Sequence, residues 1–193
     1  MDRKPRDVGS VPRRIWLVGL SGAGKSTVGP LLARRLGYRF IDLDGQIEEL
    51  AGETISHVFR TGGEAEFRRL EARAAARVAE VTDIVVATGG GWMARRDIDR
   101  TSGGRVRVWL RVRPETAIHR LSRDRAQDRA PPRPLLAGPR PEAALSALLA
   151  ARETAYAEAE LTLETDGLEP EQLVEVALRG LRKLTEKEWK NRP

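Results

Sequence analysis

Nine residues near the start of the chain, Gly19-Leu20-Ser21-Gly22-Ala23-Gly24-Lys25-Ser26-Thr27, limit the possible folds more than any other stretch. They fit the spacing glycine, four residues, Gly-Lys-Ser/Thr, in which backbone N–H groups converge on phosphate oxygens. At average glycine usage such a pattern arises by chance in only about one chain in a hundred of this length. The flanks strengthen it. Ile15-Trp16-Leu17-Val18 is an apolar strand candidate upstream, and Val28, Leu31, Leu32 and Leu36 recur downstream at helical spacing. Strand, glycine-rich loop and helix start together place a helix's positive end on a phosphate. Gly22, Ala23, Gly24, Lys25, Ser26 and Thr27 are therefore the candidate nucleotide contacts. Lys25 is placed to reach the β- and γ-phosphates, and the Ser26 hydroxyl to sit on Mg2+.

The rest of the chain continues that strand–helix alternation. Phe40-Ile41-Asp42-Leu43-Asp44 reads as a second strand, after a first helix ended by Gly37. Two short helices follow, Ile47 to Ala51 and Ile55 to Phe59, split by Gly52. A long helix from about Glu64 to Val81 carries Phe67, Leu70, Ala74 and Val78 on one face. Ile84-Val85-Val86-Ala87 is uninterruptedly apolar, as in a sheet covered on both sides. Val106, Val108, Leu110 and Val112 alternate with arginines, a strand pattern placed nearer the sheet edge. Helices are expected from Pro114 to about Leu121, Glu142 to Tyr156 and Pro170 to about Leu184, with a strand at Leu161-Thr162-Leu163.

This pattern predicts an α/β fold in three layers: a five-stranded parallel sheet with helices on both faces and right-handed crossovers. Residues 123–140 lack apolar periodicity and hold Pro131, Pro132, Pro134 and Pro139, so a mobile lid is expected there. One domain spans 14–184, between a basic tail at 1–13 and a frayed tail at 185–193.

Composition sets the surroundings. A chain of 193 residues suits one domain, and 40% hydrophobic with 32% charged residues is a soluble globular balance. No apolar run approaches the roughly 20 residues of a membrane span, and the basic N-terminus lacks the apolar segment of a secretory signal. Zero cysteines remove disulfides and thiolate metal sites; the only histidines, His57 and His119, lie far apart. A cytoplasmic protein without a membrane partner is expected. The net charge of +6 invites nucleic acid, but the arginines are interleaved with acidic residues and aromatics make up only 5%. Small anionic substrates are the better match for that charge.

Four further constellations carry possible chemistry. Asp42 and Asp44, two apart at a strand end, point to one face, where they read as ligand-facing carboxylates or as a helix N-cap by Asp44. Arg68 and Glu71 share a helix face with Glu64, either as an ordinary surface ion-pair ladder or as a held anion-gripping arginine. Gly89-Gly90-Gly91 closes a buried strand, as a tight turn or as a place where a ligand approaches backbone closely. Arg133 stands in the proline-rich segment, solvated or closing over phosphates. Trp92, after the glycines, packs in the core or narrows a pocket.

Taken in order, the phosphate loop, Phe40-Ile41-Asp42-Leu43-Asp44, Gly63-Glu64-Ala65-Glu66-Phe67-Arg68-Arg69-Leu70-Glu71, the triple glycine, Arg133-Pro134-Leu135-Leu136 and Ala151-Arg152 resemble the shikimate kinases over roughly Arg14 to Leu184. The resemblance implies a monomeric P-loop kinase that phosphorylates the 3-hydroxyl of shikimate, with ATP as co-substrate and Mg2+. It implies Lys25, Asp44 and Arg133 as catalytic residues, with Asp44 the base and Arg133 also an ATP contact. Ser26 and Asp42 would surround the metal. Shikimate would be held by Asp44, Arg68, Gly89, Gly90, Gly91 and Arg152, with the Gly90 N–H as donor and Glu71 orienting Arg68. Trp92 departs from the small residue commoner there. The segment 126–132 is longer than usual and does not fix the adenine contacts, to which Arg123 or Arg125 could contribute.

Rival readings are a gluconate or nucleoside monophosphate kinase on the same fold, and a catalytically silent ATP-binding module. A GTPase or a protein kinase is disfavoured because the only asparagine is Asn191, and both need one near the nucleotide.

Overall fold

The computed structural model describes residues 11–92, 105–126 and 140–190. Five strands form one parallel sheet: β1 (Arg14–Val18), β2 (Arg39–Asp42), β3 (Ile84–Ala87), β4 (Val106–Arg111) and β5 (Leu161–Glu164). Their spatial order is β2-β3-β1-β4-β5. Ile15, Trp16, Leu17 and Val18 of the central β1 are fully buried, because helices cover both faces of the sheet there. The register sets Trp16 opposite Val86 on one side and Arg107 on the other.

Six helices are described: α1 (Lys25–Leu36), α2 (Leu43–Ala51), α3 (Ile55–Ala79), α4 (Pro114–Ala126), α5 (Pro141–Tyr156) and α6 (Pro170–Lys190). Helices α1 and α6 pack together, α1 also lying on β2 and β3. The chain moves from β1 outward to β2, then back through β3 toward β4 and β5. Right-handed crossovers therefore put α1 on one face and α3, α4 and α5 on the other. Where the outward connection meets the return, at the C-terminal ends of β1 and β3, a crevice opens, the place where ligands enter open α/β sheets. The expected α/β sandwich is the observed one.

Four local expectations change. The strand toward Asp44 stops at Asp42, because the Asp42 carboxylate accepts from the Asp44 N–H and starts α2 at Leu43. The cap is thus Asp42, not Asp44. The short helix at Ile55–Phe59 and the long helix after Glu64 are one element, α3, kinked at Gly63 with φ 67° and ψ −168°. Strand β4 lies one strand in from the edge strand β5 and is paired on both sides. Its alternating arginines have acidic partners: Arg107 pairs with Glu160, and Arg111 with Glu153 and Glu164. Finally, α4 continues to Ala126, so 123–126 are helical, and α6 continues past Leu184 to Lys190.

Candidate active site

The phosphate loop joins β1 to α1. Gly22 and Gly24 sit at φ 80° and 95°, values that L side chains rarely adopt. A Cβ on Gly22 would stand 2.6 Å from the Ala117 carbonyl oxygen, so α4 closes against the loop. The Lys25 side chain is buried and curls back, its Nζ donating to the carbonyls of Gly19 (2.7 Å) and Leu20 (2.8 Å). These bonds hold the ammonium over the loop, where phosphate oxygens would compete for its protons. The Ser26 hydroxyl donates to Asp42 Oδ2 at 3.0 Å. The two predicted metal-side residues therefore touch, and Asp42 uses its other oxygen to start α2.

Ser21 to Val28, Asp42, Asp44, Gly89 and Gly90 line one continuous cleft. Its far wall comes from Thr116, His119 and Arg120 of α4 and from the segment Leu168 to Leu173. Arg120 is anchored there, donating to the Thr165 carbonyl at 2.8 Å and to its hydroxyl at 3.1 Å. Arg123 also lines the cleft. Arg125 lies in α4, but its side chain is outside the described residues, as is the whole of Arg133 and most of the expected lid.

At the other end of the cleft the triple glycine is surrounded by functional groups. A Cβ on Gly89 would meet Asp44 Oδ1 at 3.0 Å and Glu71 Oε1 at 3.8 Å. On Gly90 it would meet the Ser21 N–H nitrogen at 3.5 Å and an Arg152 nitrogen at 3.6 Å. On Gly91 it would meet both terminal nitrogens of Arg68, at 3.2 and 3.3 Å, and Arg152 at 3.6 Å. Two guanidinium groups from helices α3 and α5 thus converge over backbone that has no side chain. Of the two sequence readings of Gly89–Gly91, this favours close ligand approach over a mere turn. A planar guanidinium pair is suited to a carboxylate, which can accept two parallel bonds from each fork.

Arg68 is held from both sides. Its Nη1 donates to Glu71 at 2.8 Å, and its Nε and Nη2 donate to Glu64 at 3.2 and 3.1 Å. Glu71 is buried at 1% exposure, whereas the Glu64 side chain is 71% exposed. Burial works against the Arg68 charge, but the two carboxylates outweigh it and raise its pKa above the ordinary arginine value. The plain surface ladder exists too, one residue on, between Arg69 and Glu66. On α5, Arg152 donates from Nη1 to the Gly90 carbonyl at 2.9 Å, and the Tyr156 hydroxyl donates to the same carbonyl. The Gly90 carbonyl is thus occupied by protein donors. Trp92 is buried and stacks on Trp16, centroids 5.0 Å apart, so it belongs to the core.

Some parts of the cleft had no motif to announce them. Thr88, buried, ties the end of β3 to β1 through the Leu17 carbonyl and lines the cleft. Phe59 is the exposed large apolar residue of the described chain; it stacks on Phe67, whose ring lies under the Arg68 guanidinium. The five-residue run Ile55–Phe59 carried a helix signal only. Its aromatic could be paired with Phe67, eight positions on, only by knowing that Gly63 bends α3.

A parallel sheet, a phosphate loop at its crevice and a two-arginine pocket beside it define a P-loop kinase of small anionic molecules. The model of the family "SKI: Shikimate kinase" matches residues 21–182. The shikimate kinase of Moorella thermoacetica is 43% identical over 82% of this chain and 88% of its own length. That of Geobacter sulfurreducens is 45% identical over 86% and 90% respectively. The structure of the Acinetobacter baumannii shikimate kinase in complex with shikimate superposes with a TM-score of 0.79, at 35% identity, covering 86% of this chain and 91% of that one. The chain belongs to the shikimate kinase family.

Proposed function

We propose that this chain transfers the γ-phosphoryl group of ATP to the 3-hydroxyl of shikimate, in the synthesis of aromatic amino acids. The observation that carries the substrate side is the pair Arg68 and Arg152 over Gly91, with Asp44 against Gly89: a carboxylate anchor and a hydroxyl acceptor in one pocket. Shikimate offers a carboxylate at one end of its ring and hydroxyls at the other. In this reading Arg68 and Arg152 bind the carboxylate, Glu71 keeps Arg68 oriented, and Gly89, Gly90 and Gly91 let the ring approach. Asp44 takes the proton of the 3-hydroxyl as its oxygen bonds to the γ-phosphorus. The bond to the β–γ bridging oxygen breaks and ADP leaves. Lys25 and the N–H groups of Gly22 to Thr27 offset the charge spread over the phosphoryl oxygens. Arg133 is assigned to close over those oxygens from the lid.

Mg2+ fits the residues present. Among the described residues no cluster of three or more acidic, His or Cys ligands exists, and a Mg2+ bound mainly by nucleotide phosphates and water needs none. Ser26 and Asp42 would hold it, supplying charge neutralisation at the phosphates. The adenine end is assigned to the wall of Arg120, Arg123 and Pro170. The protein is taken to act as a monomer, since both guanidinium groups and the phosphate loop come from one chain and the site needs no second copy. We place the protein in the cytoplasm, acting without nucleic acid or membrane; among the described residues no helix is long and apolar enough to cross a bilayer. The catalytic domain is taken as 14–184, flanked by the two terminal segments.

The test is ADP release from Mg-ATP with shikimate, beside gluconate and a nucleoside monophosphate. Release with shikimate alone is expected, and Arg68→Ala is expected to raise the shikimate KM at least tenfold with the ATP KM unchanged. Release only with gluconate or a nucleotide would discard the roles given to Arg68, Gly90 and Arg152.

A further inference from the structure

Tyr156 ends α5 one helical turn beyond Arg152, so the two side chains share a face. Its side chain is 1% exposed, and its ring lies against Trp109 of β4, centroids 5.7 Å apart and planes tilted by 32°. A buried phenol pays for its hydroxyl only by bonding it. Here the hydroxyl donates to the Gly90 carbonyl, whose second lone pair accepts Arg152 Nη1. Phenol and guanidinium thus meet on one glycine carbonyl, and Trp109 holds the phenol ring against the sheet. Burial raises the Tyr156 pKa, so the hydroxyl keeps its proton and stays a donor across the neutral range.

We propose that Tyr156 is a positioning residue for substrate binding, locking the Gly90 carbonyl and, through it, the Arg152 guanidinium in the orientation that meets a carboxylate over Gly91. An arginine side chain has many rotamers, and the freedom lost before substrate arrives does not weaken binding. Arg152 commits Nη1 to the protein and turns Nη2 to within 3.6 Å of the Cβ position of Gly91, beside Arg68. Arg152, through which the phenol acts, reaches Gly91 and Arg68 and does not line the phosphate-loop cleft, although Gly90 does. The effect is therefore expected on the acceptor substrate more than on ATP.

The inference rests on the shikimate reading, and the experiment separates the two. Tyr156→Phe keeps the ring against Trp109 and removes only the hydroxyl. The expected result is a five- to thirtyfold rise in the shikimate KM and in its dissociation constant by calorimetry. The ATP KM stays within twofold, and the melting temperature falls by no more than a few degrees. A purely structural tyrosine would shift both KM values together or leave both alone. The second arm is a cycle with Arg152→Ala: the loss caused by Tyr156→Phe is expected to vanish in that background, because the phenol acts through the guanidinium. An unchanged shikimate affinity in Tyr156→Phe, or an undiminished loss in the Arg152→Ala background, overturns the proposal. If wild-type protein releases no ADP with shikimate, the functional reading fails instead.

Discussion

Arg68 meets two carboxylates of different standing, and the difference is chemical. Glu71 is buried, so taking it away would leave a half-buried guanidinium without its inner partner, a costly change. Glu64 is largely exposed and bonds Nε and Nη2, the latter being one of the two terminal nitrogens that face Gly91, where an incoming carboxylate is proposed to bind. An exposed pair four apart on a helix contributes only about 0.3–0.5 kcal/mol, so substrate can displace it at small cost. Glu64→Gln should therefore lower the shikimate KM, by about two- to fivefold once the loss of like-charge repulsion is included, and leave the ATP KM unchanged. Steady-state kinetics at low salt would show it; a raised shikimate KM would mean that Glu64 orients Arg68 instead of competing for it. The sequence carried Arg68, Glu71 and Glu64 as one helix face because spacing of three and four is a rigid rule. It carried no information on burial, which separates the two glutamates, and none on Tyr156, which a helix pattern records only as apolar.

At the level of elements, the strands and helices were legible wherever apolar periodicity alone decided them, as in β1, β3 and α5. They were misread where a single side chain or backbone angle decides the boundary. Asp42 ends a strand by accepting one N–H, and Gly63 bends a helix without ending it. Alternating arginines on β4 looked like a wet edge because the acidic partners, Glu160 and Glu164, lie more than fifty residues away in sequence. The kink has a functional consequence. It joins the arm carrying Phe59 to the arm carrying Phe67 and Arg68, and sets one ring on the other. At φ 67° and ψ −168°, Gly63 occupies a region essentially reserved for glycine. A Cβ there would meet nothing within 4 Å, so the penalty of Gly63→Ala is confined to the backbone. It should amount to about 1–3 kcal/mol, unless α3 relieves it by straightening. Thermal melting should fall by roughly 3–10 °C for a domain of this size, with the shikimate KM raised because Phe59 leaves Phe67. A melting temperature equal to wild type, with unchanged kinetics, would show that the bend is not needed.

Across the whole molecule the cleft is an assembly of loops from one edge of the sheet. The phosphate loop follows β1, the Asp42 carboxylate ends β2, the triple glycine follows β3, and the outer wall belongs to α4 and the β5–α6 connection. Only the first of these has a motif strict enough to be read alone; the outer wall joins segments some fifty residues apart and is visible only once β4 and β5 pair. A nucleotide bound there touches segments that unfolding separates, so it binds the native state and stabilises it. At a hundred times its dissociation constant the gain is about 2.7 kcal/mol, or roughly 5–10 °C in melting temperature. Lys25 tests whether the phosphate loop carries that gain. Because its ammonium already bonds the Gly19 and Leu20 carbonyls, Lys25→Ala should lower the melting temperature of the ligand-free protein as well. The informative quantity is therefore the shift on adding Mg-ADP, measured separately for each protein. Wild type should show the full shift, and Lys25→Ala most of it lost, together with a fall in turnover of about 10²–10³-fold. A variant whose shift equals that of wild type would place the nucleotide's binding energy elsewhere, and would leave Lys25 only the charge that develops during transfer.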